Sequence, residues 1–452
     1  MQEVGGSSPP CSTIEIIFKI GYAVGSMFKN YIQKKLEKFV VRYFQAHTDV
    51  KLICVAGSVG KTSTKTAIAT VLSQQYRVRM HEGNHNTEMS VPLAILGIEY
   101  PSNIHNPFAW MKVFKQAKRR ISEPSDVDVI IQELGTDKPG DIPAFGRYLH
   151  PDIGVITAIT PEHMEFFGTI DAVAAEELAL GNFSQVVVIN RDDIEGRFAQ
   201  LLANPNIDTY GTSGQAEYSF IDEDFSLEGG HRGYFTNPEF ADNIHATLHV
   251  LGEHNVRPIV AAVAVAIRFA MSPDAIVHGV EMIRAVNGRM NVMRGVNGST
   301  IIDDTYNSSP AAAQMALQTL INLPAPQHIA ILGSMNELGA SSATEHDKLG
   351  RMCHPDQLDW VVTIGEEAAT YLAPAAQANG CVVKSFPDAI SAGSYIHQFI
   401  EPGAIILAKG SEGGIFVEEA VKILLHSIDD NEHLVRQTPA WLEAKAQFFS
   451  RF

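Results

Sequence analysis

The chain has few cysteines, and it has no long apolar segment within residues 13–44. The first shortage argues against a disulfide-rich or zinc-binding protein, and the second argues against a membrane-spanning helix in that segment. The four cysteines are scattered without a CxxC pair, so neither a disulfide framework nor a zinc site is indicated. Within residues 13–44 the longest run without a charged residue, Ile20 to Phe28, is too short to cross a bilayer. We therefore expect a protein of the reducing cytoplasm.

Basic residues are also fewer than acidic ones. The 34 Lys and Arg stand against 51 Asp and Glu, which gives a net charge of −17. This balance argues against general nucleic-acid binding, although a local cluster and a metal ion can still bind an anionic nucleotide. The 45% hydrophobic and 19% charged residues are typical of a globular enzyme, and 452 residues predict roughly two to four domains.

Residues 51–66 predict a phosphate-binding turn. An apolar run rich in Val and Ile leads into glycines, and Gly-Lys-Thr then opens a helix-compatible stretch. Backbone N–H groups and a helix N-terminus bind phosphate oxygens, the lysine reaches the outer phosphates, and the threonine hydroxyl can ligate Mg²⁺. Val55 stands where the usual eight-residue motif has its first glycine, so an ordinary glycine-rich turn is the alternative. The candidate nucleotide ligands in this phosphate turn (residues 57–63) are Gly57, Ser58, Gly60, Lys61, Thr62 and Ser63.

Two further buried strands are predicted to deliver a metal-binding pair. Residues 127–135 place Glu133 at the end of one strand, and residues 153–159 are followed closely by His163. Ligands of open α/β sheets collect where parallel strands end, so both side chains would lie beside a Mg²⁺-nucleotide. The alternative for His163 is a capping or packing role.

The repeating pattern predicts an α/β fold. Short Val and Ile runs alternate with helical stretches from 51 to 193, which favours a mainly parallel sheet covered by helices, and 207–250 suggests an antiparallel flank. A helix is expected from about Asn255 to Met271. After a linker at 287–290 the strand–helix pattern begins again, without a Gly-x-Gly-x-x-Gly fingerprint.

The expected architecture is a central P-loop-type, mainly parallel sheet ATPase domain followed by a Rossmann-like C-terminal α/β domain. We expect boundaries at 1–48, 49–288 and 289–452, with the first twelve residues disordered. Residues 13–44 carry apolar residues at helical spacing with lysines between them. This helix either packs on its own protein with a solvated basic face or lies on an anionic membrane surface.

Several motifs occur in an order that resembles the Mur ligases of peptidoglycan synthesis, and most closely the branch that adds D-alanyl-D-alanine. The resemblance covers about residues 50–425. It rests on Gly57-Ser-Val-Gly-Lys-Thr-Ser63, Gly83-Asn-His-Asn-Thr-Glu-Met-Ser-Val-Pro92, Glu133-Leu-Gly, His163-Met-Glu-Phe-Phe-Gly168, Gly252-Glu-His-Asn255, Gly288-Arg289, Asp303-Asp-Thr-Tyr-Asn307, Gly333-Ser-Met-Asn-Glu-Leu-Gly339 and Lys409-Gly-Ser411.

The resemblance implies a monomeric ATP- and Mg²⁺-dependent amide ligase acting on a muramoyl-peptide precursor and D-alanyl-D-alanine. ATP would phosphorylate a carboxylate, and an amine would then displace phosphate, which requires alignment and charge more than a covalent nucleophile. The alternatives are a folylpolyglutamate-like or amino-acid-polymerising ligase, or an ATP-dependent switch that ligates nothing.

The resemblance also implies residue roles. Lys61 and Thr62 would serve the phosphates, Thr62, Glu133 and His163 the metal, and Arg289 the phosphates from the domain linker. The implied ligands of the nucleotide are Asn255, Asp304 and Asn307, and those of the substrates are Asn84, Asn86, Thr87, Glu88, Asn336, Glu337 and Lys409.

Two departures from the family pattern matter. The family usually carries a carbamylated lysine in the helix after the His163 motif, but residues 171–179 contain no lysine. Glu177 falls at that position, with Glu176 adjacent, and we predict that Glu177 replaces the carbamate; an exposed helix acid is the alternative. The branch also normally begins with a uridine-binding α/β domain, so we expect the UDP end of the substrate to be held differently or to be absent.

Overall fold

The computed structural model describes residues 11–452 apart from 82–84, 102, 105 and 162, and in the first helix it describes side chains from residue 28 onward. The disorder expected at the start concerns mainly residues 1–10, which lie outside the described residues, whereas residues 11 and 12 begin the first helix. Two sheets organise the described part of the chain.

The larger sheet has nine strands in the order β2-β3-β1-β4-β5-β6-β7-β8-β9. All neighbours from β2 to β7 are parallel, and β8 and β9 add antiparallel, so the predicted parallel sheet with an antiparallel flank is confirmed. Its strands are β1 (Lys51–Ala56), β2 (Val78–Met80), β3 (Val129–Glu133), β4 (Ile153–Ile156), β5 (Val186–Asn190), β6 (Ile207–Gly211), β7 (Tyr218–Ser226), β8 (Gly230–Thr236) and β9 (Ile244–Leu248).

The smaller sheet has six strands in the order β10-β11-β15-β12-β13-β14, and its first strand alone is antiparallel to its neighbour. The predicted second α/β unit is therefore confirmed, and the two sheets share no strand. Its strands are β10 (Asn291–Arg294), β11 (Thr300–Asp304), β12 (His328–Gly333), β13 (Trp360–Ile364), β14 (Val383–Phe386) and β15 (Ile405–Lys409). The boundary at 288/289 stays a prediction.

Helices cover both faces of each sheet. They are α1 (Cys11–Ala46), α2 (Lys61–Leu72), α3 (Ser90–Leu96), α4 (Pro107–Ser122), α5 (Asp141–Phe145), α6 (Met164–Phe167), α7 (Ile170–Phe183), α8 (Glu253–Arg268), α9 (Pro273–Glu281), α10 (Pro310–Asn322), α11 (Ser342–Arg351), α12 (Ala373–Ala378), α13 (Ala389–Ile396), α14 (Glu418–Leu424) and α15 (Pro439–Phe449).

Strand β1 shows why this sequence needs two helical layers. Leu52 and Cys54 pack in the core that contains α1, α3 and α7, whereas Ile53 and Val55 pack in the core that contains α2, α8 and α9. Because successive side chains of a strand point to opposite faces, an almost uninterrupted apolar strand buries both faces. The central strand therefore ends between helices, with the phosphate turn at its carboxyl end.

Helix α1 packs on the protein itself. Its apolar side chains Ile32, Leu36, Phe39, Val40 and Tyr43 are buried in the first core. The first of the two sequence interpretations is thus confirmed for the described side chains, and contact with a membrane stays a prediction. Among the described residues, no helix combines the length and hydropathy that spanning a bilayer requires. The thiols of Cys54, Cys353 and Cys381 are buried and unpaired.

Candidate functional site

A cavity of about 1230 Å³ lies between the two sheets, where β1, β3 and β4 of the larger sheet and β11 and β15 of the smaller sheet end. Open α/β sheets bind ligands in the crevice outside the carboxyl ends of their strands, at the point where the strand order reverses. The sequence-predicted residues that line this cavity are Ser58, Gly60, Lys61, Thr62, Ser63, Asn86, Thr87, Glu88, Glu133, His163, Asn255, Arg289, Asp304, Asn307, Asn336, Glu337 and Lys409.

The phosphate turn depends on a glycine at its first position. Gly57 has φ +127°, and a Cβ there would lie 2.2 Å from Oγ1 of Thr157 and 2.8 Å from the backbone nitrogen of Ala158. The Thr157 hydroxyl in turn donates to the carbonyl of Val59 at 2.6 Å, so β4 holds the turn closely. Only glycine allows that approach without strain.

Lys61 and Thr62 belong to the phosphate turn and are also the first two residues of α2. The Lys61 ammonium donates to the carbonyl of Gly57 at 2.5 Å, within the turn itself. The Thr62 hydroxyl donates to Oε2 of Glu133 at 3.1 Å, so two of the three predicted metal donors are in contact. Sequence reasoning missed Lys65, whose buried ammonium lies 3.3 Å from the same Glu133 oxygen.

The third predicted metal donor, His163, reaches across to the other sheet. It is the residue before α6, has φ 49°, and its Nδ1 lies 3.0 Å from Oε2 of Glu337. Glu337 also has a positive φ, of 63°, in the 333–339 loop. Both side chains line the cavity, and their contact joins its two walls. Among the described residues, no three His, Cys, Asp or Glu side chains come together as a metal-binding group.

The two adjacent glutamates of α7 have different partners. Oε2 of Glu177 accepts from the backbone N–H of Gly57 at 2.7 Å. Glu176 instead accepts from the backbone N–H groups of Gly140 and Ile142, at 2.7 and 2.6 Å, beside the start of α5. Both carboxylates are buried, so the alternative of an exposed helix acid is wrong. Glu177 does not line the cavity, and its role in place of a carbamate stays a prediction.

Arg289 extends from the linker towards the phosphate turn. Its guanidinium lies 3.5 Å from the Thr62 hydroxyl and 4.3 Å from the centre of the Tyr306 ring. An aromatic face attracts a guanidinium, so Tyr306 holds this cation in the cavity. Tyr306 belongs to a motif that sequence reasoning quoted, but it was not chosen as a site residue.

The facing wall is organised by a buried ion pair. The Lys409 ammonium lies 2.6 Å from Oδ2 of Asp304 and donates to the carbonyl of Asn307 at 3.0 Å. The other Asp304 oxygen accepts from the backbone of Met290 at 3.2 Å. Lys409, Asp304 and Asn307, which come from β15, β11 and the loop that follows β11, thus form one unit.

The C-terminal tail supports this wall, although its sequence indicated no role. Arg436 donates to the carbonyls of Thr305 and Tyr306 at 2.6 and 2.9 Å and forms a two-pronged pair with the fully buried Glu418. Lys445 of α15 lies 2.8 Å from Glu418 as well. Burial alone would raise the pKa of Glu418, but these two cations outweigh burial and keep the pKa below its ordinary value.

The loop before α3 also reaches the cavity. The carbonyl of Asn86 accepts from the N–H of Gly135, where a Cβ would lie 2.6 Å from the Asn86 amide nitrogen. The Thr87 hydroxyl contacts Ser90 at 2.9 Å, and Glu88 lines the cavity. Asn84, the fourth candidate of this loop, lies outside the described residues.

The remaining candidates lie at two loop–helix junctions. Asn336 donates from its backbone to the Ser411 hydroxyl and from its side chain to Gly413, both at 2.8 Å. Asn255, in the first turn of α8, donates to Leu251 at 2.9 Å. Its neighbour His254 was missed; burial lowers the His254 pKa to about 4, so its imidazole is neutral near pH 7.

The side chains that line the cavity fit a nucleoside triphosphate with a divalent metal ion. Five lining residues, Thr160, Arg257, Arg289, Ser308 and Ser309, each carry a buried polar side-chain atom without a hydrogen-bond partner among the described residues, although the Arg257 Nε lies 3.3 Å from an Asp192 oxygen. Buried polar atoms are normally bonded, so a polar ligand would satisfy them. The hydroxyl of Thr62 beside the carboxylate of Glu133 is an oxygen donor set of the kind Mg²⁺ prefers.

Comparison with known proteins matches these features. Residues 55–266 match the family described as "Mur ligase middle domain", and residues 288–412 match the family described as "Mur ligase, glutamate ligase domain". The chain is 28% identical over 406 residues to UDP-N-acetylmuramoyl-tripeptide–D-alanyl-D-alanine ligase of Bacillus subtilis, an alignment that covers 87% of this chain and 79% of the relative.

Two solved structures share the fold. MurF from Acinetobacter baumannii has a TM-score of 0.72 at 24% identity and covers 87% of this chain and 80% of its own. MurF from Thermotoga maritima in complex with ADP has a TM-score of 0.70 at 22% identity, over 86% of this chain and 83% of its own. The resemblance noted from the motifs is confirmed: the chain belongs to the Mur ligase family, whose members are Mg²⁺- and ATP-dependent enzymes that form carbon–nitrogen bonds.

Proposed function

We propose that this ligase joins D-alanyl-D-alanine to the peptide carboxylate of a muramoyl-peptide precursor. The Bacillus subtilis relative is named for that ligation. Its alignment with this chain covers 87% of this chain and 79% of the relative. The observation that carries the proposal is the single cavity in which the phosphate turn, Arg289 and the Asp304–Lys409 pair face one another. That arrangement suits a reaction that activates a carboxylate and then brings an amine to it.

The reaction has two displacement steps. A carboxylate oxygen of the precursor attacks the terminal phosphorus of ATP, and ADP leaves. The amine of D-alanyl-D-alanine then attacks the acyl carbon, and phosphate leaves with that oxygen. Neither step requires a covalent bond to the protein. The protein therefore lowers both barriers by aligning the reactants and by stabilising the charge that develops on them.

In this proposal the phosphate turn binds the triphosphate through its N–H groups, and Lys61 and Arg289 stabilise the charge that moves between the oxygens. Thr62, Glu133 and His163 would hold Mg²⁺, which neutralises phosphate charge when it is bound. Asn255, Asp304 and Asn307 would contact the nucleotide. Exclusion of water when both substrates are bound would protect the activated carboxylate from hydrolysis.

The substrate side involves residues from both walls. We propose that Asn86, Thr87 and Glu88 face the muramoyl-peptide, while Asn336, Glu337 and Lys409 face the incoming amine. Asn84 is proposed with the first group from its sequence position alone. The contact between His163 and Glu337 would then close the cavity over both substrates.

Product mass tests the proposal. The purified protein is incubated with ATP, Mg²⁺, a panel of muramoyl-peptides and D-alanyl-D-alanine, and each product is identified by mass spectrometry. We expect one precursor to gain D-alanyl-D-alanine. A product that gains glutamate or another amino acid instead would favour a folylpolyglutamate-like or amino-acid-polymerising ligase. Phosphate release without any ligated product would favour an ATP-dependent switch.

The location and assembly of the protein are part of the proposal. We propose a cytoplasmic monomer that contacts a membrane peripherally through residues 13–44 and binds no nucleic acid. The net charge of −17 supports the last point. The exposed lysines of α1 support the membrane contact, since the apolar side of that helix is already covered.

A further inference from the structure

The surface shared by α1 and α4 is basic, against the acidic balance of the chain. Residues 28–46 contain one acidic residue, Glu37, and residues 107–122 contain none. Seven bases on these helices are exposed and have no ion-pair partner among the described residues; they are Lys29, Lys34, Lys38, Arg42, Lys112, Lys115 and Lys118. This concentration of positive charge defines a candidate docking surface.

The two helices lie side by side and run in the same direction. The rings of Phe39 and Phe114 are 5.9 Å apart, and the hydroxyl of Tyr43, one turn further along α1, lies 3.0 Å from the hydroxyl of Ser125, just beyond the end of α4. The Lys35 ammonium crosses the seam, 4.2 Å from the centre of the Phe114 ring. Residues three or four apart share a helix face, so Lys34, Lys38 and Arg42 lie on one exposed face of α1 and Lys115 and Lys118 on one exposed face of α4, whereas Lys29 lies on the cavity side of α1.

The N-terminal end of this surface is apolar. Tyr31 is 58% exposed, Phe108 77% and Met111 64%. The register of the two helices brings the start of α4 next to the first described turns of α1. Large exposed apolar side chains that cluster mark interaction sites, whereas scattered ones need no explanation. We call Tyr31, Phe108 and Met111, with the exposed bases of the two helices, the α1–α4 face.

We propose that the α1–α4 face binds the surface of an anionic lipid bilayer. The bases complement lipid phosphates, and the three apolar side chains enter the headgroup region, a combination typical of peripheral membrane proteins. Charge complementarity favours this occupant, because Lys34, Lys38, Lys115 and Lys118 are exposed and have no ion-pair partner among the described residues. The proposal deepens the membrane contact suggested above by adding α4 as a second element and naming the lipid chemistry.

Docking in this orientation would bring one end of the substrate cavity near the bilayer. Phe28, Lys29 and Ile32 of α1, together with Tyr100, Ile104 and Trp110, line the cavity at the base of the apolar end. The indole N–H of Trp110 donates to the carbonyl of Ile104 at 2.8 Å and so ties the loop before α4 to the helix. A precursor could therefore enter from the membrane side.

Vesicle co-sedimentation of the full chain tests the proposal. The vesicles are phosphatidylcholine alone or phosphatidylcholine with about 30 mol% phosphatidylglycerol, at low salt and at about 0.5 M salt. We expect binding to the anionic vesicles only, weakened by salt. A variant with K34E, K38E, K115E and K118E, none of which lines the cavity, should bind at least about tenfold more weakly.

Control variants with the same kinds of substitution elsewhere on the surface show whether binding depends on the α1–α4 face or only on overall charge and exposed apolar area. R232E, K348E, K384E and R451E reverse four exposed bases elsewhere, and F108S with M111S is matched by I428S with F452S, whose side chains are 84% and 64% exposed. Only the α1–α4 variants should lose binding, at unchanged Tm. Equal loss in both sets, or no binding of the unaltered chain to anionic vesicles, overturns the proposal and leaves the face to another partner, such as an acidic protein. No ligase assay is involved, so the proposed function can fail or stand separately.

Discussion

One wall of the cavity is made of backbone, and the facing wall is made of side chains. At the phosphate turn, the backbone of Ser58, Val59 and Gly60 lines the cavity between the end of β1 and the start of α2, and the N–H of Gly57 is bonded to Glu177. At the facing wall, Asp304 and Lys409 pair with each other, and Arg436 of the tail binds the carbonyls of Thr305 and Tyr306. A backbone site needs a short local motif, whereas the side-chain site needs residues far apart in the sequence.

The largest effect should come from breaking the support of the side-chain wall. Arg436→Met keeps much of the volume but leaves the buried Glu418 with one fewer cation, and removing one partner of a buried pair costs roughly 3–5 kcal/mol. We expect the midpoint of urea unfolding to fall accordingly, and R436K to recover part of the loss. A midpoint within error of the unaltered chain would show that the tail does not support this wall.

The backbone wall should respond in rate more than in stability. Lys61→Ala removes the cation at the start of α2, and losing one charged donor to the transition state lowers kcat by about 10²–10³. Ligation assayed with saturating ATP measures the loss. The control is Lys51→Ala, which removes an exposed lysine at the start of β1 that is paired with Asp152. Equal losses in the two variants would contradict a specific role for Lys61.

The neighbouring glutamates of α7 offer a comparison within one helix. Glu177→Gln should raise the Mg²⁺ concentration needed for half-maximal activity and lower kcat roughly tenfold, since its carboxylate supports the phosphate turn. Glu176→Gln should leave the Mg²⁺ requirement unchanged, because its partners lie at α5. A titration of turnover against Mg²⁺ reads both. Unchanged turnover and Mg²⁺ dependence in the Glu177 variant would remove its proposed role.

The side-chain wall should also make stability depend on pH. Burial raises the pKa of Asp303 to about 6, although its Oδ1 accepts from Thr305. A raised carboxyl pKa favours the protonated form in the folded state, so its stabilisation is present at low pH and is lost as pH rises through about 6. Between pH 5 and pH 8 we expect a loss of about 1–2 kcal/mol. Urea unfolding of Asp303→Asn should lack this component, and an identical pH profile would contradict the assignment.

The smallest effect should come from the contact that joins the walls. Glu337 is largely exposed, so its pair with His163 should contribute about 0–1 kcal/mol to stability. A double-mutant cycle with His163→Asn and Glu337→Gln, measured by urea unfolding, gives the coupling energy. A coupling energy of several kcal/mol would contradict this expectation, because an exposed pair would then contribute as much as a buried one.

The comparison also explains what the sequence could predict. The phosphate turn, the strand ends at Glu133 and Asp304 and the repeated α/β pattern are local signals, and the fold class and family were predicted from them. The strands β2, β10 and β14 were not predicted, because β2 has three residues and most residues of β10 and β14 are half-buried or exposed, which weakens the apolar pattern.

The missed site residues depend on long-range contacts. Arg436 and Lys445 lie in a polar tail and acquire a role only because folding brings them to Glu418. Lys65 reaches Glu133 from one turn inside α2, and no spacing in the sequence shows that α2 and β3 place them 3.3 Å apart. The different partners of Glu176 and Glu177 likewise depend on how α7 crosses the phosphate turn.

The fate of one oxygen atom tests the central claim most directly. The precursor is labelled with ¹⁸O in its reacting carboxylate and incubated with ATP, Mg²⁺ and D-alanyl-D-alanine, and the released phosphate is analysed by mass spectrometry. If the carboxylate attacks the terminal phosphorus, each phosphate carries one ¹⁸O, provided that both carboxylate oxygens are labelled. Unlabelled phosphate released at the same rate would contradict the account, because the phosphoryl group would then have passed to water and not to the substrate.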